Sequence, residues 1–453
     1  MDPTGSERSD VMQRSSVSRG SPRDRFVRAR HCIALVAVAA TALVIAGCGG
    51  DESSGGGGGG SGDPIVIGLI ADQTGSTKAI GNQFIRGANT AAKLFGPIDG
   101  RPVKFVVEDG KGFSAPAAAA ATIKFKTKDK AVAVLGMAAG ECAGGLSVAN
   151  RVKLPMIGTS CVIQEIVGKN CNPWFFNGDP SPLGLAEAMR VVLPQTVPGL
   201  IGSRWAVIGD DPGWSQSVAD YWNQVPGAKP AGVEIAPFGT TDWGPYIAKL
   251  KASGAKALLM AISFGVQYPA FLQQANAAGL FEQMQPVAPL GFPENGQVPG
   301  YGERASNKTV KALEKVEVVW QYGAPWTYIQ ENSPEGKKYV EMFVKEYGGP
   351  PAAQANMQMN NTWRMLTAIK EVGTDPQKIA EKLATPITTP YYSEPQGVQK
   401  GNRQIDVPAF VTKLEKLPKP QYGVEYANQV DRIIPAKEVI RDAKTYECNL
   451  PSF

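Results

Sequence analysis

Residues 64–95 read PIVIGLIADQTGSTKAIGNQFIRGANTAAKLF and contain one complete strand–turn–helix unit. The run IVIGLIA at 65–71 is rich in β-branched residues and ends at Asp72, which a Gln-Thr-Gly turn follows. From 84 to 95 the apolar residues recur at helical spacing. A short apolar strand followed by an amphipathic helix indicates a βα unit.

The same pattern recurs along most of the chain. Further strands are predicted at 102–109, 131–137, 155–160, 204–211, 233–237, 257–263, 286–291 and 316–322. Helices are predicted at 115–125, from near Cys142, and at 215–225, 246–254, 269–280, 335–347 and 356–372. Short strands that alternate with helices indicate right-handed βαβ units around buried parallel sheets. Two such series predict an α/β fold of two doubly wound, Rossmann-like lobes, with a ligand cleft between the facing carboxyl ends of their strands.

The N-terminal region predicts export. Seven arginines between positions 8 and 30 precede an uncharged apolar run at 33–46. At about 1.5 Å of rise per residue this run is shorter than a membrane-spanning helix, so a secretory signal is favoured. An uncleaved signal anchor is the alternative, and translation can begin at Met1 or Met12. The Gly/Ser-rich residues 55–62 then predict a flexible tether.

The composition of the body argues against catalysis. The chain has one histidine, His31, which lies in the segment predicted to be removed. A body without histidine excludes Ser-His and Cys-His nucleophiles and the usual zinc hydrolase ligands. We therefore predict no enzyme, no metal and no cofactor. A secreted hydrolase that uses paired carboxylates stays as an alternative without a matching motif.

Charge and cysteine content bound the partners and the compartment. After residues 1–47 are removed, 39 basic and 37 acidic residues remain, and such a near-neutral surface gives no electrostatic reason to expect nucleic acid. Four cysteines remain besides Cys48, namely Cys142, Cys161, Cys171 and Cys448. In an exported protein this even number predicts two disulfides with three connectivities. Cys161 is expected to bond to Cys171 or Cys142.

Two resemblances extend this interpretation. Ile45-Ala46-Gly47-Cys48 resembles the bacterial lipobox, which implies cleavage before Cys48 and lipidation of its sulfur. The body resembles the Leu/Ile/Val-binding type of extracytoplasmic solute-binding protein, the type I periplasmic-binding fold that serves ABC importers. The resemblance rests on the order of several stretches: IVIGLIADQTGS (65–76), IDGRPVKFVVEDGKGFSAPAAAAA (98–121), AVAVLGMAAG (131–140), WAVIGDDPGWSQS (205–217) and FLQQANAAGL (271–280).

The resemblance implies a domain organisation. It assigns a signal peptide to 1–47, a lipidated cysteine and tether to 48–63, the first lobe to 64–180 and 323–388, and the second lobe to 181–322 and 389–453. Three crossings between the lobes, near 178–184, 319–324 and 386–394, would form a hinge that closes on the solute.

The resemblance also implies a function. A monomer anchored to the cell membrane on its extracytoplasmic side would capture an amino-acid-like, amide or aromatic solute and present it to ABC permease subunits. A ligand-sensing receptor subunit of the same fold is the alternative. Large aromatics in the expected cleft, Trp214, Phe264 and Phe292, favour a solute flatter or bulkier than leucine.

In the first lobe the resemblance places the ligand at Ala139, Gly140 and Glu141, and at Thr159 and Ser160. A helix N-terminus and hydroxyl groups supply donors to a ligand carboxylate. Gly140 and Glu141 stand where the amino-acid binders have serines, and Glu141 would repel a carboxylate unless it pointed away. Its alternative is a solvated residue at the start of a helix, and that of Ser160 is a turn-stabilising serine.

In the second lobe the resemblance implies three contacts. Trp214 and Phe264 would cover the solute, with ordinary core aromatics as the alternative. Glu294 would pair with an ammonium group of the ligand, and its alternative is a surface carboxylate.

Overall fold

Two separate sheets, as expected from the sequence, are present in the computed structural model, the first wholly parallel and the second mainly so. The structure describes residues 62–75, 77–178, 180–196, 202–210, 214–223, 227, 229–263, 267–288, 312–319, 323–392, 396–399, 401–440, 443–448 and 450. The chain from Gly58 to Phe453 forms one compact unit. Among the described helices none is both long enough and apolar enough to cross a membrane.

The first sheet is built from five parallel strands. They are β1 (Ile65–Ile70), β2 (Val103–Glu108), β3 (Ala133–Ala138), β4 (Met156–Ser160) and β5 (Phe175–Asn177). Their order across the sheet is β2-β1-β3-β4-β5. Strands β3 and β4 are buried along their whole length, as expected for parallel strands that are covered on both faces.

Helices connect these strands. They are α1 (Lys78–Phe95), α2 (Ala115–Thr127), α3 (Gly140–Val152) and α4 (Gln164–Val167). The start of α2 is set locally, because the Ser114 hydroxyl accepts a hydrogen bond from the N–H of Ala117 and a proline occupies the first turn. Strand β5 and helix α4 were not predicted from the sequence, because both are shorter than a recognisable periodic segment.

The second sheet has seven strands. They are β6 (Arg204–Gly209), β7 (Lys229–Ile235), β8 (Ala257–Ala261), β9 (Gln285–Ala288), β10 (Glu317–Val318), β11 (Ala409–Gln421) and β12 (Val424–Ile434). Their order is β12-β11-β10-β9-β8-β6-β7. Strands β6 to β10 run parallel, whereas β11 and β12 form an antiparallel hairpin at one edge. The strand predicted at 316–322 is described only as the two residues of β10.

The remaining helices belong to several layers. They are α5 (Pro182–Thr196), α6 (Trp214–Trp222), α7 (Gly244–Ala252), α8 (Gln267–Ala277), α9 (Leu280–Gln283), α10 (Trp326–Asn332), α11 (Pro334–Tyr347), α12 (Ala353–Val372), α13 (Pro376–Leu383) and α14 (Ala436–Val439). Helix α12 packs on α1 and on strands β3 and β4, so the chain returns to the first sheet after β10. It then enters the second sheet again at β11. The lobe bounds given above stay a prediction.

The C-terminal segment reaches the first sheet. A disulfide joins Cys171, which precedes β5, to Cys448. In addition, β5 forms an isolated parallel bridge between Asn177 and Gln404, just before β11 begins. The end of the chain therefore ties the two sheets together beside β5.

Candidate functional site

The first part of the candidate site is the switch point of the first sheet. In the order β2-β1-β3-β4-β5, the chain leaves β1 for β2 on one side, whereas it leaves β3 for β4 on the other side. Ligands of open α/β sheets bind beyond the carboxyl ends of strands at this point. Asp72 follows β1, and Ala139 to Glu141 follow β3. The structure thus brings the predicted residues 139–141 to the switch point, next to an aspartate that sequence reasoning had not selected.

The start of α3 has an unusual backbone. Ala139 precedes the helix with φ of 43° and makes no side-chain cap. A Cβ added at Gly140 would lie 2.4 Å from the carbonyl oxygen of Phe113, so only glycine fits under the loop that follows β2. The first N–H groups of α3 are therefore placed at the edge of the sheet, where they can act as donors.

Glu141 is buried, with 1% of its surface exposed. Its Oε2 accepts a hydrogen bond of 2.7 Å from the N–H of Ala138. Its Oε1 receives no hydrogen bond from the described residues and lies beside Asp72. A Cβ at Gly110 would be 1.3 Å from this oxygen and 2.7 Å from Oδ1 of Asp72, so the glycine makes room for the two carboxyl groups. The alternative of a solvated Glu141 is therefore wrong.

The surroundings of this carboxyl pair favour the protonated form of Glu141. Burial first, and then the negative charges of Asp72 and Asp109, raise the pKa of Glu141 well above its usual value, while the Ala138 N–H opposes them. Asp72 already accepts hydrogen bonds from the Thr77 hydroxyl and from the N–H of Gly112 at 2.9 Å. A protonated Glu141 can donate to Asp72 and carries no charge that would repel a ligand carboxylate.

Asp109 braces the loops around this pair. Its carboxylate accepts hydrogen bonds from the Thr74 hydroxyl at 2.6 Å, the Gln73 N–H at 2.9 Å and the Lys111 N–H at 3.0 Å. Burial acts to raise the pKa of Asp109, but these hydrogen bonds together hold it below its ordinary value. The loops after β1 and β2 are thus joined at their tips.

Thr159 and Ser160 end strand β4, and their side chains lie on opposite faces of the sheet. The fully buried Thr159 hydroxyl donates to Oε1 of Gln358 at 2.7 Å and accepts from Nδ2 of Asn361 at 3.2 Å. It is engaged with helix α12. Ser160, 9% exposed, pairs in register with Ala138, so of the two hydroxyls it is the one placed to serve a ligand beside α3.

A disulfide joins the two loops of this edge. Cys142 in the first turn of α3 is bonded to Cys161, which follows β4, with Cα atoms 5.8 Å apart. The second bond is that between Cys171 and Cys448. The alternative in which Cys161 pairs with Cys171 is therefore wrong.

Helix α12 contributes a group of residues that sequence reasoning missed. Its first turns carry five buried amides, at Gln354, Asn356, Gln358, Asn360 and Asn361. Gln354 is 1% exposed, and neither of its amide atoms has a hydrogen-bond partner among the described residues. The signal was present in the sequence QANMQMNN at 354–361, since alternating amide and apolar residues without charge are rare on a surface helix.

The second sheet presents a similar edge. In its order β6 lies between β7 and β8, and Asp210 directly follows β6. The fully buried Asp210 accepts a hydrogen bond of 2.6 Å from the N–H of Ser263, which follows β8. Trp214 is the first residue of α6, and its side chain is outside the described part of the structure, as are Phe264, Phe292, Glu294 and the proposed lipidation site Cys48.

One contact shows that the two edges face each other. Phe113 follows β2 in the first sheet, and Phe238 follows β7 in the second. Their ring centroids are 6.4 Å apart at an interplanar angle of 66°. The loops at the carboxyl ends of both sheets therefore enclose one cleft. Among the described residues no group of three or more His, Cys, Asp or Glu side chains could hold a metal ion.

Comparison with known proteins agrees with this geometry. The family model described as "Periplasmic binding protein" matches residues 64–417, whereas a search among curated proteins finds no match.

Several solved structures are similar in fold. An amino acid ABC transporter substrate-binding protein from Pseudomonas fluorescens Pf-5 is 17% identical, with a TM-score of 0.70 over 85% of this chain and 99% of that one. An ABC transporter solute-binding protein from R. palustris in complex with benzoate is 16% identical, with a TM-score of 0.68 over 85% of this chain and 100% of the other. A branched chain amino acid ABC transporter periplasmic ligand-binding protein from Burkholderia xenovorans LB400 is 16% identical, with a TM-score of 0.67 over 85% and 99%.

The resemblance to the Leu/Ile/Val-binding type and the prediction of two α/β lobes are both confirmed. The matched residues make up more than half of the chain, and the family is one of solute-binding proteins rather than of enzymes. This chain therefore belongs to the periplasmic binding protein family.

Proposed function

We propose that this protein binds a small amino-acid-like, amide or aromatic solute in the cleft between its lobes and delivers it to the permease subunits of an ABC importer. The observation that carries the proposal is the facing of the two switch points across one cleft, with Phe113 and Phe238 in contact at its mouth. Closure about the hinge would exclude water and strengthen each polar contact with the solute.

The chemistry of the first edge supports a solute with a carboxylate or carbonyl group. The N–H groups at the start of α3 and the Ser160 hydroxyl are donors. Glu141, when protonated, adds no negative charge beside them. The similar structures include an amino acid ABC transporter protein and a complex with benzoate, and both of these ligand classes carry a carboxylate.

The other contacts of the cleft are part of the same proposal. We expect Ala139, Gly140, Glu141 and Ser160 to bind the polar end of the solute. Trp214 and Phe264 would cover its body, and Glu294 would pair with a donor group. Thr159 would act indirectly, since it holds helix α12 against β4.

The family implies an extracytoplasmic location, and we propose that a lipid on Cys48 anchors the protein to the outer face of the cell membrane. The test is fractionation of cells that produce the wild-type chain or Cys48→Ala, together with incorporation of a labelled fatty acid. The wild-type protein should be labelled and sediment with membranes, and the variant should be neither. Unlabelled wild-type protein would contradict the anchor.

The binding function is tested by thermal unfolding of the purified protein against a panel of solutes. The panel contains branched-chain and aromatic amino acids, short amides, aromatic carboxylates and polyamines. A ligand that binds only the native state raises the unfolding midpoint. At a concentration one hundred times its Kd, it stabilises the native state by about 2.7 kcal/mol. A hit that is lost in Ser160→Ala would support the cleft. A hit that Ser160→Ala leaves unchanged would contradict it.

A further inference from the structure

A further cavity lies where the chain enters the second sheet for the last time. It has a volume of about 520 Å³ and is lined by Tyr328, Tyr392, Gln396, Asp406, Ile433 and Lys437 together with four further residues. These belong to α10, to the segment before β11, and to the end of β12 and the following helix α14. None of the cleft residues discussed above lines this cavity. We call it the hinge-side cavity.

The aromatic walls of the hinge-side cavity are held in place. The ring of Tyr328 packs edge to face on Phe410, with centroids 5.0 Å apart, and Tyr392 packs on the same ring at 5.9 Å. Because Phe410 is buried in strand β11, both tyrosines are supported from behind. The cavity therefore offers two fixed aromatic surfaces, which suit a planar ring.

Ile433 adds an exposed apolar surface. It is 40% exposed, and among the described residues the other large apolar side chain with comparable exposure is Phe238, at 42%. Phe238 lies at the mouth of the cleft. When a ligand covers an apolar side chain of this size, apolar surface is removed from water and binding is favoured.

Gln396 supplies an unused donor. It is 3% exposed, and its Oε1 accepts a hydrogen bond of 3.0 Å from Nδ2 of Asn360. Asn360 in turn accepts from the Thr389 hydroxyl at 2.7 Å, and this chain of bonds fixes the orientation of both amides. Nε2 of Gln396 is left without a partner among the described residues. A buried donor of this kind is costly unless something accepts from it.

Asp406 supplies an unused acceptor. No described residue donates a hydrogen bond to its carboxylate, and Gly397 lies so close that a Cβ there would be 2.6 Å from Oδ2. Burial raises the pKa of Asp406, and the charge of Arg364 opposes the rise. Arg364 is fully buried and donates to the carbonyl oxygens of Gln396 at 3.0 Å and Thr385 at 3.2 Å.

The balance of charge selects a neutral ligand. The charge of Asp406 is matched by Arg364 behind the wall, and Lys437 lies exposed at the rim. The positive charges of Arg364 and Lys437 would repel a free cation, and the negative charge of Asp406 would repel a free anion. We propose that the hinge-side cavity is a second binding site, for a neutral aromatic amide whose N–H donates to Asp406, whose carbonyl oxygen accepts from Nε2 of Gln396, and whose ring packs between Tyr328, Tyr392 and Ile433.

The test uses 3-phenylpropanamide as the probe, with saturation-transfer NMR and equilibrium dialysis on the full protein. Methyl 3-phenylpropanoate has the same ring and carbonyl group but no N–H, and 3-phenylpropylamine is the cationic control. We expect the amide to bind at least fivefold more tightly than either control compound. Equal binding of the ester, or no binding of the amide to folded wild-type protein, would overturn the proposal.

Variants assign the site. Gln396→Leu and Asp406→Leu should each weaken amide binding at least fivefold. Ile433→Trp fills the cavity from its exposed rim without touching a buried polar group, so it should fold and should abolish amide binding. Phe238→Ala, in the cleft, should leave amide binding at the hinge-side cavity unchanged. Binding that survives Ile433→Trp but is lost in Phe238→Ala would place the amide in the cleft and overturn the second site.

Discussion

The ring of Phe113 meets the ring of Phe238 edge to face across the cleft, 6.4 Å between centroids, although the two residues belong to different sheets. Phe113 has a positive φ of 63°, a conformation that few non-glycine residues adopt. The loop after β2 is thus held in a constrained shape that directs its tip at the second lobe. Phe238 is 42% exposed, so the contact adds little to the stability of either lobe alone.

This contact predicts a specific effect on ligand affinity. An aromatic pair of this geometry contributes about 0.5–1.5 kcal/mol, so Phe238→Ala should weaken a cleft ligand about twofold to tenfold. The unfolding midpoint without ligand should stay nearly unchanged, and Phe238→Tyr, which keeps the ring, should restore affinity. Isothermal titration with a ligand from the thermal panel measures it. Unchanged affinity in Phe238→Ala would show that closure does not use the pair.

Glu141 predicts a pH dependence of stability. Its pKa is raised in the native state by burial and by the neighbouring Asp72 and Asp109. The stabilisation from its bound proton is full below the ordinary pKa of 4.5 and is lost as the pH rises through the raised native value. Between these two pKa values the native state holds a proton that the unfolded chain releases. The free energy of unfolding therefore falls as the pH rises, by up to about 1.4 kcal/mol per pH unit.

Glu141→Gln should remove this slope, because a glutamine can accept from the Ala138 N–H and donate to Asp72 at every pH. Thermal unfolding between pH 5 and 8 should show a flatter profile in the variant and a higher midpoint at pH 8. Glu165→Gln, in the short helix α4, is the matched control and should leave the profile unchanged. Parallel profiles for Glu141→Gln and wild type would contradict a protonated Glu141.

Gln354 predicts opposite effects on stability and binding. Its buried amide has no hydrogen-bond partner among the described residues, and an unsatisfied buried polar group costs about 1–3 kcal/mol. Gln354→Leu should therefore raise the free energy of unfolding by about 1 kcal/mol. If the amide serves the solute, the same variant should bind it at least fivefold more weakly.

The neighbouring Gln358 is the contrast. Its Oε1 accepts from the Thr159 hydroxyl and its Nε2 donates to Thr362 at 3.1 Å. Gln358→Leu should lower the free energy of unfolding by about 1–3 kcal/mol. Urea unfolding of both variants measures the difference, and destabilisation by Gln354→Leu equal to that by Gln358→Leu would assign both amides to structure alone.

The disulfide between Cys142 and Cys161 predicts a stabilisation of the ligand edge. It closes a loop with a sequence separation of 19, for which the chain-entropy model gives about 3 kcal/mol. Replacing both cysteines by serine should lower the urea midpoint accordingly and weaken any ligand bound at residues 139–141. Replacing Cys171 and Cys448 should lower the midpoint without changing the local structure of α3. Titration of free thiols in denaturant should find none of these four cysteines reduced.

Part of the fold could be predicted because local sequence encodes it. The strand β1 is a β-branched run, β3 and β4 are short, mainly apolar segments, and α12 is a long periodic segment, so their existence and type were evident. The hairpin of β11 and β12 was missed. Its strands carry alternating charge on an exposed face and two prolines at 418 and 420, and its turn is formed by Tyr422 and Gly423, which both have positive φ.

The position of residues 139–141 after β3 could be predicted from the sequence, but the surroundings of Glu141 could not. The order of strands places residues 139–141 at the switch point, and βαβ handedness is enough to foresee that. The burial of Glu141 depends on Asp72 and on the space left by Gly110, which are distant in sequence. No local pattern reports whether a glutamate at the start of a helix faces water or another carboxyl group.

By itself, the sequence determined that this is an α/β protein of two lobes, because strand and helix periodicities are local properties. The solute-binding class followed from the resemblance of its ordered stretches to a known family, and the family match confirms it. The tertiary structure alone decided which cysteines pair, that Thr159 is committed to Gln358 in a contact 199 residues apart, and that Phe113 meets Phe238. These depend on how separate elements pack, where burial and a few ångströms of distance determine which groups are charged, bonded or free to bind.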